Sequence, residues 1–331
     1  MTSVWAPALA GLTTFVATWP LRAIARRFGV LDHPGPRKIH ASPIPYLGGI
    51  AVLLGAAAGM LFFHLELARV LALLAVIVAL GLFDDLRYAS VATKLIGETT
   101  VAVAAVALGF AWHVTDSAGI NAAVSVIWMV GLTNSFNLLD NMDGLASTIA
   151  VGSLLTIGLV VPSTLPIAAP LAGAVIGFLL INWPPARMYL GDAGSLMIGF
   201  GVALASIAAA DTDRGLHSVV LLACPVALAV FDTSLVIVSR LLVGRPVQLG
   251  GTDHFSHRLR LLGWSQYQVL FGAIAAMLVG GAITLLASQY PDRSAWLALP
   301  LGVAYAGGWL RLLRVDPYSA EVNFKPEVLR A

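Results

Sequence analysis

Long apolar segments alternate with short polar segments along almost the whole chain. A helix that spans a bilayer needs about 20 mostly apolar residues. The pattern therefore predicts an all-α, polytopic membrane protein that forms a single domain over residues 1–331, with residues 313–331 as a cytoplasmic C-terminal tail. The eleven predicted spans lie near residues 4–21, 47–64, 68–83, 95–114, 122–139, 144–161, 165–182, 194–210, 218–239, 267–288 and 295–312.

Composition agrees with this membrane class and excludes several others. Hydrophobic residues make up 59% of the 331 positions and charged residues 11%, whereas a soluble domain has roughly 25% charged residues. The single cysteine, Cys224, lies in an apolar segment and excludes a disulfide framework within the chain. A net charge of +2 gives no indication of an acidic partner such as a nucleic acid.

The distribution of Lys and Arg predicts the orientation of the spans. In the eleven-span arrangement, sixteen of the 19 Lys and Arg residues fall on one side, and Arg69, Arg214 and Arg293 fall on the other. Cytoplasmic loops of membrane proteins carry the excess of positive residues. We therefore expect the N-terminus outside and the C-terminus in the cytoplasm.

The unusual polar segments all belong to the predicted cytoplasmic side, whereas the predicted external loops are short and plain. Their sequences are "LDHPGPRKIHASPIPYLGG" (31–49), "FDDLRYASVATK" (83–94), "NSFNLLDNMDGLA" (134–146), "NWPPARMYLGDAGS" (182–195) and "GRPVQLGGTDHFSHRLRLLG" (244–263). Five such segments on one face of the membrane predict one composite site.

Five aspartates in these segments could supply oxygen ligands to a metal. Asp84 and Asp85 end the third predicted span, and Asp140, Asp143 and Asp192 add to the supply. Adjacent carboxylates at membrane depth are costly unless positive charge meets them, although solvated residues at a helix end are an alternative. Oxygen-only clusters suit Mg²⁺, which binds through one or two carboxylates plus substrate phosphates.

Asparagines cluster at the end of the fifth predicted span. Asn134, Asn137 and Asn141 fall within about 60° of one helical face, where they form either a binding site or hydrogen bonds between helices. Asp143 would point the opposite way if the helix continued, so we expect the helix to end near Gly144. In the segment "GDAGS", Asp192 precedes a new helix, whose N-terminus would favour phosphate, unless Asp192 is only an N-cap.

Basic side chains in two of the segments suit a diphosphate. His254, His257 and Arg258 lie in "DHFSHRL", with Arg245 upstream, and Arg37, Lys38 and His40 repeat this chemistry after the first span. Arg forms fork-like hydrogen bonds to phosphate, although positive residues in a cytoplasmic loop are also expected from topology alone. Asp232 lies inside the ninth span, where a functional role and a packed hydrogen bond are equally compatible with the sequence.

Taken together, the segments "HPGPRKIHASPIPYLGG", "FDD", "NSFNLLDNMDGLA", "NWPPARMYLGDAGS" and "DHFSHRL" resemble the bacterial polyprenyl-phosphate N-acetylhexosamine-1-phosphate transferase family. They occur in that family's order over residues 33 to 259. The resemblance implies a Mg²⁺-dependent membrane enzyme, with Mn²⁺ as an alternative metal. Such an enzyme transfers a sugar 1-phosphate from a UDP-N-acetylhexosamine to a polyprenyl (undecaprenyl) phosphate, releases UMP and leaves a lipid-linked diphosphosugar.

The resemblance also implies roles for individual residues. Asp84 and Asp85 match the family's aspartate pair near the reacting phosphates, and Asp140 and Asp143 match its DxxD. Asp192 matches an acid tied to Mg²⁺, a metal site that we expect Asp143 to share. Substrate-binding roles are expected for the remaining candidates: Lys38, His40, Asn137, Asn182, Arg245, His254, His257 and Arg258. Ser256 departs from the family's HxHHRL pattern, so a histidine cluster as such is not required.

Three other functions bear on this interpretation. The phospho-N-acetylmuramoyl-pentapeptide transferase of peptidoglycan synthesis is less similar, because its "PIHHHFE"-type loop is absent. A secondary transporter would place polar residues near the bilayer midplane and on both gates. A CDP-alcohol phosphotransferase needs a DGxxAR-type motif, and "DGLAST" lacks the Arg.

The expected setting is the bacterial inner membrane, with the active site on the cytoplasmic face. The lineage that starts O-antigen (lipopolysaccharide), teichoic acid or related surface glycans is favoured, and N-acetylglucosamine is the sugar expected from family frequency. The sequence leaves a homodimer open and does not fix the sugar.

Overall fold

The computed structural model describes residues 5–33, 42–63, 67–213, 215–248 and 250–318. These residues form an almost entirely helical bundle, apart from a two-stranded antiparallel hairpin, β1 (Leu31–Asp32) and β2 (Ile44–Pro45). The helices are α1 (Trp5–Phe28), α2 (Gly48–Phe63), α3 (Ala68–Arg87), α4 (Val91–Ala107), α5 (Ala118–Leu139), α6 (Leu145–Val160), α7 (Leu165–Asn182), α8 (Gly191–Ala210), α9 (Gly215–Ala223), α10 (Ala227–Leu242), α11 (Phe255–Leu261), α12 (Gln266–Gln289) and α13 (Ser294–Leu313).

The prediction of an all-α membrane protein is confirmed. A helical segment overlaps each of the eleven predicted spans, and the ninth consists of α9 and α10 joined through a 3₁₀ turn. Within the described part of the chain, seven segments are long and apolar enough to cross a membrane: Trp5–Phe28, Ala118–Leu139, Pro162–Asn182, Gly191–Ala210, Gly215–Leu242, Gln266–Gln289 and Pro291–Leu313. The helices α2 and α6 are also apolar but have only 16 residues each.

Two helix ends differ from the prediction in a way that matters for the site. The third helix continues to Arg87, so Asp84 and Asp85 lie in its last turn. The fourth begins at Val91, where the Ser90 side chain caps it by accepting a hydrogen bond from the backbone N–H of Thr93. Hydropathy did not reveal this early start, since the first turns of α4 are polar. Lys94 is therefore a helical residue, although the pattern places it in a loop.

The helix α8 lies at the centre of the bundle. It is buried along almost its whole length and packs against α2, α3, α5, α6, α7 and α9. The approach of α3 is close: a Cβ atom on Gly81 would lie 2.5 Å from the Cα atom of Ala193. Only glycine allows this contact, which brings the C-terminal turn of α3 against the first turn of α8.

The polar segments converge at one end of the bundle. The C-terminal ends of α3, α5 and α7 meet the N-terminal end of α8 there, and a backbone bridge between Tyr46 and Tyr189 ties the hairpin to the same region. The ion pair between His113 and Asp211 lies at the opposite end of the bundle. The polar segments singled out in the sequence thus lie at one end only.

Candidate active site

A cavity of about 820 Å³ opens at the polar end of the bundle. It brings together side chains from α3, α5, the turn after α5, the α7–α8 connection and the segment before α12. Nine of the residues singled out in the sequence line it: Asp84, Asp85, Asn137, Asp140, Asn141, Asp143, Asn182, Asp192 and His257. The structure thus brings side chains from distant polar segments to one cavity.

Two carboxylates in the cavity share one ammonium group. The Nζ atom of Lys94 donates a hydrogen bond to Asp84 Oδ2 at 2.8 Å and another to Asp192 Oδ2. The shared ammonium group thus lies between the two carboxyl groups. Two neighbouring anions repel strongly unless a positive charge lies between them, and Lys94 supplies that charge here. We call this set of three the carboxylate–lysine triad.

Asp85, the neighbour of Asp84, has a different task. Its Oδ1 atom accepts a hydrogen bond from the backbone N–H of Asp192 at 2.8 Å, and Oδ2 accepts one from Ala193 at 3.1 Å. Asp85 thus caps the N-terminus of α8, where a negative charge is favourable. Gly191 makes room for it, because this residue has a φ of 69° and a Cβ there would lie 2.6 Å from Asp85 Oδ2.

This cap changes the interpretation of "GDAGS". The sequence predicts a helix N-terminus that binds phosphate, but in the structure the backbone N–H groups of Asp192 and Ala193 already donate to Asp85. This segment therefore contributes the Asp192 side chain to the cavity. Asp85 fixes the end of the helix that carries Asp192.

Asn137 fixes the orientation of Asp192. Its Nδ2 atom donates to Asp192 Oδ1 at 2.9 Å and lies 2.9 Å from the Oγ atom of Ser195. With the bond from Lys94, both oxygens of Asp192 are held from opposite helices. Of the three asparagines predicted on one helical face, Asn134 and Asn137 lie on α5, whereas Asn141 lies in the turn after it. Asn134 donates to Glu98, and Asn141 accepts from Ser256 at 2.7 Å.

The turn after α5 carries the other two carboxylates. The helix ends at Leu139, before the predicted end near Gly144, and Gly144 has a φ of 75°. Asp140 lines the cavity directly after the helix; burial, followed by the charges of Asp192, Asp85 and Asp143, raises its pKa to about 7. Asp143 Oδ2 accepts a hydrogen bond from the backbone N–H of Ala186 at 2.9 Å.

Asn182, which the sequence assigns to substrate binding, acts as a clamp in this structure. Its Oδ1 atom accepts from the backbone N–H of Gly144, and its Nδ2 atom donates to the carbonyl of Met188, both at 2.9 Å. The side chain is 2% exposed. Asn182 therefore holds the Asp140–Asp143 turn against the α7–α8 connection and sets the shape of the cavity wall.

The histidine segment reaches the cavity through only one of its rings. His257 lines the cavity, whereas His254 is buried behind it, with ring centroids 5.6 Å apart. The Nδ1 atom of His254 lies 2.8 Å from Asp232 Oδ2, and Asp232 Oδ1 accepts from the backbone N–H of Phe255 at 2.7 Å. Asp232 is therefore the packed hydrogen-bonding residue of the two alternatives, and it anchors the start of α11.

The structure does not bring Arg258 to the cavity. Its guanidinium is fully buried and donates to the carbonyls of Asp253 and Leu312 at 2.9 Å each, to that of Val315, and to Ser239 Oγ at 2.5 Å. Four of its five N–H donors are used for these bonds. The expected phosphate contact is corrected to a structural role, in which Arg258 ties the histidine segment to the end of α13.

A neighbouring ion pair completes this buried region. Arg240 forms a fork with Asp253, with distances of 2.7 and 2.8 Å, and Tyr318 donates to Asp253 at 2.9 Å. Arg245, also expected at the substrate, instead lies over the ring of Tyr318, 4.7 Å from its centroid. We call Arg240, Asp253, Arg258 and Tyr318 the arginine cluster. The two remaining candidates, Lys38 and His40, lie outside the described residues.

Comparison with known proteins places this geometry in a family. The model of glycosyl transferase family 4 matches residues 67–210, which include all three members of the carboxylate–lysine triad. A decaprenyl-phosphate N-acetylglucosaminephosphotransferase from Mycobacterium tuberculosis is 31% identical, over 93% of this chain and 89% of its own length. The chain belongs to glycosyl transferase family 4.

Two further relatives of this family 4 chain differ in how much they share. A probable undecaprenyl-phosphate N-acetylglucosaminyl 1-phosphate transferase from Bacillus subtilis is 28% identical over 87% of this chain and 85% of its own length. A phospho-N-acetylmuramoyl-pentapeptide-transferase from Lactobacillus gasseri is 29% identical but over only 58% of this chain and 64% of its own. Similarity to the first type of transferase thus extends over more of the chain.

The donor set of this family 4 chain fits a hard divalent cation. Among the described residues no group of three His, Cys, Asp or Glu side chains has the geometry of a protein-only metal site. Mg²⁺, however, usually binds through one or two carboxylates plus substrate phosphates. Asp84 and Asp192 form such a pair, and the Lys94 ammonium between them demonstrates that the pair accommodates a cation.

Two residues near the site are not predicted from the sequence of this family 4 chain. Lys94 and Glu98 lie one turn apart on α4, although the hydropathy pattern places Lys94 in a loop and Glu98 in an apolar span. A sign of both was available, because charged residues inside an otherwise apolar span are costly and usually face the interior of a bundle.

Proposed function

We propose that this chain transfers N-acetylglucosamine 1-phosphate from UDP-N-acetylglucosamine to a polyprenyl phosphate such as undecaprenyl phosphate, with release of UMP. The observation that carries the proposal is that Asp84 and Asp192 share the ammonium group of Lys94 at the wall of a cavity of about 820 Å³. The printed names of the relatives from M. tuberculosis and B. subtilis supply the reaction.

A metal ion is part of the proposal. Asp192 and Asp84 would hold Mg²⁺, with Mn²⁺ as a substitute, and Asp143 lies on the same cavity as a further oxygen donor. When bound, the ion would neutralise the negative charge of the donor's diphosphate, which otherwise repels the acceptor phosphate. Phosphoryl transfer depends mainly on such positioning and charge stabilisation.

The chain's own residues would prepare this centre and handle the acceptor. Asn137 and Asp85 hold Asp192 in place, so the carboxylate needs no rearrangement to meet the donor. Asp140, whose pKa burial raises to about 7, suits the task of taking a proton from the lipid phosphate, because a general base works best with a pKa near the operating pH. His257 at the cavity wall would hydrogen-bond a phosphate oxygen.

The proposed arrangement in the membrane has eleven spans, an external N-terminus and a cytoplasmic C-terminus in the bacterial inner membrane. The site residues support this alternation, since they lie at the ends of α3, α5 and α7 and at the start of α8. In this arrangement the odd-numbered spans end and the even-numbered spans begin on one side of the membrane. The excess of Lys and Arg on that side supports an active site on the cytoplasmic face.

The direct test is reconstitution with defined substrates. Purified full-length chain is incubated with undecaprenyl phosphate, Mg²⁺ and, in separate reactions, UDP-N-acetylglucosamine, UDP-N-acetylgalactosamine, UDP-glucose and UDP-N-acetylmuramoyl-pentapeptide. We expect UMP and a lipid-linked diphosphosugar, identified by mass spectrometry, with UDP-N-acetylglucosamine, and loss of both products when EDTA removes the metal.

The same panel distinguishes the alternatives. Product from the pentapeptide donor alone would assign the chain to peptidoglycan synthesis instead. Absence of UMP with every donor, from protein that elutes as a single folded species, would reject the proposed reaction.

A further inference from the structure

Glu98 carries a buried carboxyl group that has no role in the proposed reaction. The residue lies in α4 and is 1% exposed. Its Oε2 atom accepts a hydrogen bond from Asn134 Nδ2, but its Oε1 atom is buried and, within the described part of the chain, receives no hydrogen bond. A buried carboxylate oxygen without a donor is costly to maintain. Its position relative to the metal site supplies a reason for it.

Glu98 lies one helical turn from Lys94. Side chains at i and i+4 of a helix lie on the same face, with Cβ atoms about 5–6 Å apart. The Lys94 ammonium acts electrostatically on Glu98, although its hydrogen bonds go to Asp84 and Asp192. A lysine head group moves on a flexible four-carbon stem. The same ammonium therefore has two sets of carboxylate partners within reach, of which it uses one.

We propose that Glu98 is a positioning residue that receives the Lys94 ammonium when a divalent cation enters between Asp84 and Asp192. The proposal rests on the metal site of the proposed function. A divalent cation and an ammonium cannot share the same carboxylate oxygens, because their charges repel at contact distance. Without Glu98 the displaced ammonium would remain buried without an anion. With Glu98, the metal replaces Lys94 and the lysine charge stays neutralised.

Asn134 keeps the receiving carboxylate ready. Its Nδ2 atom donates both to Glu98 Oε2 and to the carbonyl of Val130, 2.9 Å away, which fixes the amide on α5. Only one oxygen of Glu98 is engaged in this way. The other, Oε1, is the atom that we assign to the arriving ammonium.

The test measures metal affinity without any substrate. Full-length chain in detergent is titrated with Mn²⁺, and free Mn²⁺ is followed by electron paramagnetic resonance. We expect Lys94→Met to bind Mn²⁺ more tightly than the parent chain, because the competing ammonium is gone. Glu98→Gln is expected to bind at least about tenfold more weakly, a loss of about 1.4 kcal/mol by the standard conversion. The double variant should bind like Lys94→Met alone.

The double variant is the decisive measurement. If Glu98 acts only by attracting the metal through space, Glu98→Gln will weaken Mn²⁺ binding equally with and without Lys94, and the proposal is wrong. It is also wrong if Glu98→Gln leaves affinity unchanged or if the parent chain binds no Mn²⁺. A matched control is Thr99→Val, a substitution on the exposed side of the same turn, which should change affinity less than twofold.

Two further arms keep the result separate from other failures. If Glu98→Gln fails to fold by size-exclusion chromatography, Glu98→Asp retains the charge but shortens its reach. Glu98→Asp should then weaken Mn²⁺ binding when Lys94 is present and should have no effect on Mn²⁺ binding when Lys94→Met is also present. Because neither sugar nucleotide nor lipid is present, failure of UMP release in the reconstituted reaction would reject the proposed function without altering the outcome of this titration.

Discussion

Two groups of charged residues in the structure differ in how completely their hydrogen-bonding groups and charges are paired. In the arginine cluster, four of the five N–H donors of Arg258 are used and both oxygens of Asp253 meet Arg240. In the carboxylate–lysine triad, the single ammonium group of Lys94 pairs with two carboxylates at the wall of a cavity. In the first group, other protein residues complete the hydrogen bonds and compensate the charges. In the second group, a single ammonium group that a metal ion could replace compensates the charges.

The difference separates structural charges from charges that are available for chemistry. A buried ion pair with complete hydrogen bonding contributes to a fixed geometry but offers nothing to a ligand, and removal of one partner leaves the other uncompensated. Two carboxylates that share one ammonium group can instead bind a metal ion together with a phosphate. Substitutions in the triad should therefore change activity, and substitutions in the arginine cluster should change stability.

The largest expected effect follows from Asp192→Asn. The substitution keeps the shape of the side chain but removes the charge on which the proposed metal depends, so UMP release should fall at least about 1000-fold. Stability should change much less than activity, because Asn keeps one acceptor oxygen and Lys94 keeps Asp84 as its ion-pair partner. The measurement is initial-rate UMP release, together with thermal unfolding of the same preparation.

Asp211→Asn is the matched control for that substitution. Asp211 lies at the other end of α8 and pairs with His113 on the opposite side of the bundle. Its replacement should leave UMP release within about twofold of the parent rate. Near-normal turnover by Asp192→Asn would show that this residue is not part of the proposed metal centre. The expectation that substitutions in the triad change activity would then be wrong.

The next effect, on stability, is expected from Arg258→Lys. Lysine keeps the charge but cannot form the fork, so the carbonyls of Asp253, Leu312 and Val315 lose donors in a buried site. The free energy of unfolding should fall by about 2–4 kcal/mol, measured by denaturant titration in detergent. Activity per folded molecule should remain near that of the parent chain, because Arg258 does not line the cavity.

Arg260→Lys provides the control two residues away. Arg260 is exposed and donates only to the carbonyl of Trp264 at 3.1 Å, so its replacement should cost less than about 0.5 kcal/mol. If Arg258→Lys instead lowered activity without changing stability, Arg258 would belong with the substrate-binding residues that the sequence indicates.

The sequence was sufficient to predict the acids of the site but not the cation between two of them. Asp84, Asp140, Asp143 and Asp192 stand out because carboxylates are rare beside apolar spans, and the alternation of spans places them on one face. Lys94 does not stand out, because the apolar run begins after it and hydropathy cannot detect a polar first turn. Its partner could not be identified either, since a contact between residues 84, 94 and 192 depends on the packing of α3, α4 and α8.

The arginine cluster illustrates the opposite limitation. Arg245 and Arg258 have the chemistry of phosphate ligands and lie in a segment that does reach the cavity through His257. Sequence cannot reveal that the end of α13 folds over this segment and supplies the carbonyls of Leu312 and Val315. Residue type and loop position predict what a side chain is able to bind, whereas its burial decides what it does bind.

A pH experiment compares one carboxylate of the cavity, Asp140, with one carboxylate of the arginine cluster, Asp253. Burial raises the pKa of Asp140 from 3.8 to about 7. For Asp253, burial also acts to raise the pKa, but the hydrogen bonds and charge of Arg240 outweigh it and lower the pKa below 3.8. The folded chain thus holds a proton on Asp140 more tightly than the unfolded chain does, and holds one on Asp253 less tightly.

The sign of the pH dependence follows from these shifts. The stability associated with protonated Asp140 is present below about pH 4 and is lost as the pH rises through about 7. Asp140→Asn removes this loss, so the variant should gain about 1–2 kcal/mol relative to the parent between pH 5 and pH 8. The full shift would correspond to about 4 kcal/mol, but solvent in the open cavity screens part of the charge.

Asp253→Asn should behave in the opposite way. It should destabilise the chain at pH 8 and at pH 5 alike, because the contribution of Asp253 is lost only as the pH falls below about 4. Thermal unfolding of the parent and both variants at the two pH values measures these differences. A stability change on Asp140→Asn that is the same at pH 5 and pH 8 would mean that Asp140 is an ordinary ionised carboxylate. It would then lack the proton affinity that the proposed transfer from the lipid phosphate requires.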